Sequence, residues 1–82
     1  MFSPFVKNKL YFIKTITFYY IARYDGKSGK FYKFKNVQCL LSIPDWEDFF
    51  KSRPHLPPSL KPLPFPDLAL NADSIMDVAL WE

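Results

Sequence analysis

This chain of 82 residues is poor in the residues that usually carry chemistry. Cys39 is its only cysteine, which excludes an internal disulfide and a cysteine-based metal site. His55 is its only histidine and lies between Pro54 and Leu56. A Cys–His nucleophile pair is formally constructible. However, Cys39 sits in the run Val37-Gln38-Cys39-Leu40-Leu41 and reads as a small buried apolar residue. No serine or threonine stands in a nucleophile motif, so no catalytic residue can be named. No metal ligand set and no cofactor site is expected either.

Glycine is nearly absent, at two residues, so a phosphate-cradling loop is excluded. Gly26-Lys27-Ser28 has the ending of a P-loop, but Ile21 occupies the position of the required first glycine. The segment also leads into a strand, whereas phosphate capture needs a helix N-terminus. Long apolar runs are missing too. The stretch from Leu10 to Ala22 is interrupted by Lys14 and is shorter than the roughly 20 residues that span a bilayer. The same interruption, with no small-residue cleavage site, argues against a secretory signal.

The last scarcity is of negative charge at one end. Residues 1–37 hold eight Lys or Arg and one acid, Asp25, whereas residues 38–82 hold three basic residues and seven acids. The formal net charge of +3 conceals this split. Residues 1–24 have no acid and carry Lys7, Lys9, Lys14 and Arg23. That charge pattern leans toward a mitochondrial import segment; an ordinary basic strand explains it equally well, because Ile13, Thr15, Ile16 and Thr17 are β-branched.

Aromatic residues make up 20% of the chain, and eight prolines accompany them. A chain this short buries only about 60% of its unfolded surface. Its rings therefore exceed what a small core can hide, and some should meet a partner.

Alternation predicts one long strand over Leu10–Tyr24, a turn at Asp25–Gly29 and a return strand over Lys30–Leu41. Ser42 and Asp45 suit the start of a helix over Ile43–Ser52, with Trp46, Phe49 and Phe50 on one side. Six prolines between Pro54 and Pro66 predict an extended polyproline strap. Asn71 or Asp73 would cap a last helix over Asp73–Trp81, with Ile75, Met76, Ala79 and Leu80 as its stripe. The expected fold class is α+β: an N-terminal antiparallel β-hairpin, two short helices and a Pro-rich strap. The expected organisation is an arm at 1–9, a basic aromatic hairpin plus helix at 10–53, the Pro-rich segment at 54–70 and the second helix at 71–82.

Two sets of residues are candidates for binding. Lys27, Lys30, Lys33 and Lys35 interleave with Phe31, Tyr32 and Phe34, a pattern that suits phosphate attraction and base stacking. The absence of arginine from that run weakens the match, and lysines also guard strand edges against aggregation. Phe2, Phe5, Trp46 and Phe65 are the candidate aromatic anchors. Lys51-Ser52-Arg53-Pro54-His55-Leu56-Pro57 fits a basic PxxP ligand, a short and common pattern. Asp45, Glu47 and Asp48 are accounted for as dipole-complementing acids.

The functional expectation is a non-enzymatic accessory subunit. It would dock on protein subunits of a larger assembly, with a weak lean to mitochondrial hosts. RNA or an acidic surface on the lysine hairpin is the alternative, as are a masking regulator and contact with a membrane surface. No small-molecule substrate is expected.

Overall fold

The computed structural model describes residues 5–53, 55–57 and 60–81. The chain forms β1 (Leu10–Thr15), β2 (Tyr19–Ser28), β3 (Phe31–Leu40), α1 (Trp46–Lys51), β4 (Leu63–Asn71) and β5 (Ile75–Leu80). A 3₁₀ turn, Ala72–Ser74, joins β4 to β5. All five strands belong to one antiparallel sheet in the order β4-β3-β2-β1-β5. The fold is therefore mostly β with one short helix, which corrects the α+β expectation.

Three local readings account for the correction. The expected strand over Leu10–Tyr24 is two strands. Thr15 breaks it: its amide donates to the Phe18 carbonyl at 3.0 Å, and its hydroxyl donates to the same carbonyl at 2.8 Å. The break flips the alternation. Tyr11 and Ile13 share a core with Tyr20, Ala22 and Tyr24, while Phe12 shares the opposite core with Ile21. The expected last helix is β5, because pairing with β1 satisfies backbone groups that a short exposed helix would leave to water. Asn71 still caps as expected, but it caps the 3₁₀ turn, its side chain accepting from the Asp73 amide at 3.0 Å.

The Pro-rich strap is only partly a strap. Leu56 and Leu60 lie against the sheet, and Pro57 is buried. From Leu63 onward the chain joins the sheet as β4, with Pro64 and Pro66 inside it. An edge strand tolerates proline because a missing N–H can face solvent. The first helix is shorter than expected, and its cap is Asp45, not Ser42: the Asp45 carboxylate accepts from the Asp48 amide at 3.1 Å.

The hairpin turn also moved. Gly29 and Lys30 make the tight turn between β2 and β3, with Gly29 at φ +60°. Asp25 and Gly26 lie within β2, where the ladder shifts by one residue beside Gly26 at φ +138°. A second shift on β3 falls at Asn36, whose φ is +53°. Such bulges bend strands.

Bending is required by the connection between the outer strands. Asn71 pairs with Phe31 near the β2–β3 turn, whereas Ile75 pairs with Thr15 near the β1–β2 turn. In a flat sheet, four strand spacings of about 4.8 Å would separate β4 from β5. The three-residue link reaches roughly 14 Å and could not bridge that width together with the offset along the strands. The sheet must curl, and residues of both outer strands do pack on one interior core: Leu68 and Leu70 from β4, Ile75 and Val78 from β5.

The two faces carry two cores. The inner one gathers Tyr11, Ile13, Tyr20, Ala22, Tyr24, Tyr32, Phe34, Val37 and Cys39 around Phe5. The outer one is closed by α1: Phe12, Ile21, Leu40 and Trp81 meet Phe49, which is fully buried. Rings supply much of both. Phe5 lies 4.9–5.3 Å from the rings of Tyr11, Tyr24, Tyr32 and Phe34. Phe49 lies 5.2 Å from Phe12 and 4.7 Å from Trp81.

Candidate interaction surfaces

The meander β1–β2–β3 ends in two exposed turns at opposite ends of β2, and they differ in chemistry. The β2–β3 turn is basic. Lys27, Ser28, Gly29 and Lys30 are exposed there, followed on β3 by exposed Phe31 and Lys33. Lys27 sits 5.4 Å above the Tyr32 ring, a contact that holds the ammonium near the surface without neutralising it.

Lys35 differs from the other three lysines. It is half-buried and pairs with Asp25 at 3.7 Å across the Asp25 bulge, and by register it also faces Asp67 of β4. A shallow cleft of about 400 Å³ opens beside it, lined by Asp25, Lys33, Phe34, Asp67, Leu68 and Ala69. The positive tip is thus Lys27, Lys30 and Lys33, bounded by two carboxylates. Phe31, one of the rings interleaved with these lysines in the sequence, is 47% exposed in the middle of the tip.

The other end of β2 is apolar. The β1–β2 turn presents Ile16, 77% exposed, and Phe18, whose ring stands 6.4 Å from buried Tyr20. Tyr19 pairs with Leu40, so exposed Leu41 falls beside Phe18; Cys39 pairs with Leu63, so the start of β4 joins the same end. Leu63 and Phe65 are both exposed there. Ile16, Phe18, Leu41, Leu63 and Phe65 are thereby placed as an apolar rim, with Lys61 lining the small cleft beside Leu41. Burial raises the pKa of the two groups beneath the rim, making both weaker acids. Tyr20 is displaced upward by desolvation and, secondarily, by Cys39; Cys39 is displaced upward by desolvation.

The named anchors are distributed as follows. Phe65 stands in the apolar rim. Phe5 is 7% exposed and its ring is enclosed by the chain's own inner core. Trp46, 39% exposed, has one side open and on the other stacks at 5.9 Å on Phe50 and edge-on at 5.2 Å to Tyr19. Phe2 lies outside the described residues. Ile16, Phe18 and Leu41 escaped notice because each was read within a continuous strand. The signal that could have found them is the Thr15-Ile16-Thr17 triplet, in which a hydroxyl can close a turn.

Among the described residues no group of three or more His, Cys, Asp or Glu is placed to hold a metal, and no helix is long and apolar enough to cross a membrane. Comparison with known proteins gives no match to a family model, a curated protein or a solved structure.

Proposed function

We propose that this chain is a non-enzymatic accessory protein that docks on a protein subunit of a larger assembly, anchored by the apolar rim and guided by the basic tip. The observation that carries the reading is the rim. Strand register places five exposed apolar side chains from three segments toward one end of the sheet, while most rings of the two cores are already enclosed. Contiguous exposed apolar surface on a small protein marks a binding site more often than a structural accident. The displaced acidities of Tyr20 and Cys39 support a non-catalytic role, because both move away from neutrality, the reverse of what a nucleophile or base needs.

A second reading, a nucleic-acid contact at the tip, is favoured by one observation: exposed Phe31 stands between Lys30 and Lys33. A ring flanked by ammonium groups can stack on an unpaired base while its neighbours meet phosphate.

One capture experiment separates the two. The tagged full chain, a Phe18→Glu/Leu63→Glu variant and a Lys30→Glu/Lys33→Glu variant are recovered with their bound material at low and high salt, with and without nuclease. The docking reading expects a protein in fixed stoichiometry that survives high salt and is lost from the rim variant. Bound RNA that disappears with nuclease, with salt and with the tip variant would replace it.

A further inference from the structure

Among the described residues β5 pairs with β1 alone, and its other side pairs with no described strand. Its backbone direction follows from one bond. The Trp81 amide donates to the Leu10 carbonyl at 2.9 Å, so the residues alternating with Trp81, namely Ala79 and Asp77, also aim at β1. Val78 and Leu80 then aim their N–H and C=O groups away from the sheet. An independent contact agrees: the Arg53 guanidinium reaches the Leu80 carbonyl from outside at 3.3 Å.

Natural edge strands are usually blunted by lysine, proline, a bulge or an inward charge, and of these β5 has only the register shift at Met76, next to its start. The edge β4 carries Pro64 and Pro66. The sequence of β5, Ile75-Met76-Asp77-Val78-Ala79-Leu80, has no proline and no lysine, and two of its apolar side chains are well exposed, Met76 at 58% and Leu80 at 51%. The strand is also self-complementary. A two-fold axis at Val78 sets two copies antiparallel with Val78 opposite Val78 and Ala79 opposite Asp77, and brings Leu80 to the Met76 side chain, which stands at the register shift that ends the regular part of β5.

The charges agree with that arrangement. Asp77 is the only charged residue of β5 and never faces its own copy, so no like charges oppose each other. Asp77 is the register partner of Lys14 and Ala79 of Phe12, on the side of the sheet that α1 covers. Arg53, held by the Phe50 carbonyl at 3.1 Å and lying 5.6 Å over the Phe50 ring, reaches the edge at Leu80, next to the position the second copy's Asp77 would take.

We propose that β5 pairs with β5 of a second copy, joining two curled sheets across a two-fold axis, with Arg53 of each copy meeting Asp77 of the other. The pairing is independent of the docking rim, which lies on other strands, and the two ideas fail separately. Apolar burial of Met76 and Leu80 supplies attraction, the outward-aimed Val78 amides supply ladder bonds, and the Arg53–Asp77 pairs set the register.

Sedimentation equilibrium of the purified full chain tests this. A dimer of twice the 9.7 kDa chain mass is expected, dissociating on dilution. Leu80→Lys should convert it to monomer with an unchanged circular dichroism spectrum. Asp77→Arg should weaken association about tenfold or more, and Asp77→Arg/Arg53→Asp should restore most of it. The Val78 amide should exchange slowly in the dimer and rapidly after dilution. A monomer at the highest soluble concentration overturns the proposal. So does a dimer unaffected by Leu80→Lys, a charge swap without rescue, or open-ended assembly that signals pairing of β5 with β4 instead.

Discussion

The two turns that end β2 are built from the same meander yet offer a partner opposite physics. At one end Lys27, Lys30 and Lys33 surround Phe31; at the other Ile16, Phe18 and Leu41 meet Leu63 and Phe65. Charge acts over roughly 8 Å at physiological salt and is screened beyond it. Apolar contact acts only on touching, but is worth about 1.5–3 kcal/mol per fully enclosed large side chain. The tip should therefore govern how fast a partner arrives, and the rim how long it stays. Both turns rest on the same inner core, so a change at either can be read only against the stability of that core.

The largest effect should come from that shared support. Phe5→Ala removes a ring packed against four others and should cost about 3–5 kcal/mol of folding stability, abolishing binding at both surfaces. Chemical denaturation without a partner checks it. An unchanged midpoint would mean that Phe5 serves an interface and not the core.

Next is the rim itself. Phe18→Glu should weaken partner capture at every salt concentration while shifting the denaturation midpoint less than Phe5→Ala does, because Phe18 is 38% exposed and the one ring near it among the described residues is Tyr20, at 6.4 Å. Equal loss of stability and binding would place Phe18 in the core. Trp46→Ala sharpens the same contrast from the outer face. Its contacts with Tyr19 and Phe50 predict a stability loss of about 1–2 kcal/mol, less than that of a fully enclosed ring.

The tip should give a smaller, conditional effect. Lys30→Glu with Lys33→Glu should slow association severalfold at low salt and leave the rate nearly unchanged at high salt. Lys35→Ala should change binding less than either, since Asp25 already engages it at 3.7 Å. The pair itself is half-exposed and worth at most about 1 kcal/mol of stability.

The smallest effect concerns alkaline pH beneath the rim. Tyr20 and Cys39 are paired across β2 and β3, and burial raises both from their ordinary values of 10.0 and 9.0. The folded chain holds these protons more tightly than the unfolded chain. Their contribution to stability is therefore complete below pH 9.0 and declines as pH rises from the unfolded values through the raised folded ones. Tyr20→Phe should flatten part of that decline in a pH series of denaturation midpoints, and Lys30→Glu should not.

The basic tip was readable in the sequence because lysines beside a turn stay in water and because glycines mark turns, although Lys35, farther along β3, is half-buried beside Asp25. Gly29 does turn the chain. Gly26 instead supports a bulge, since a positive φ serves either role and only the strand pairing decides. The rim was not readable. Its residues come from the β1–β2 turn, the end of β3 and the start of β4, and nothing in the chain order brings Phe18 near Leu63.

By itself the sequence determined the charge asymmetry, the strand-forming middle, the acidic helix start and the excess of rings. These are local properties of composition, spacing and side-chain hydrogen bonding. Only the tertiary structure decided which rings are enclosed and which are offered. It also decided that the segments over Leu63–Asn71 and Ile75–Leu80 are strands. Their helical stripe and proline content are weak preferences, worth at most about 3 kcal/mol even for a proline in a helix interior. Pairing each segment along a preformed neighbour, β3 or β1, satisfies a whole row of backbone groups at once. A non-local ladder of that kind outweighs local propensity, and no window along the chain contains it.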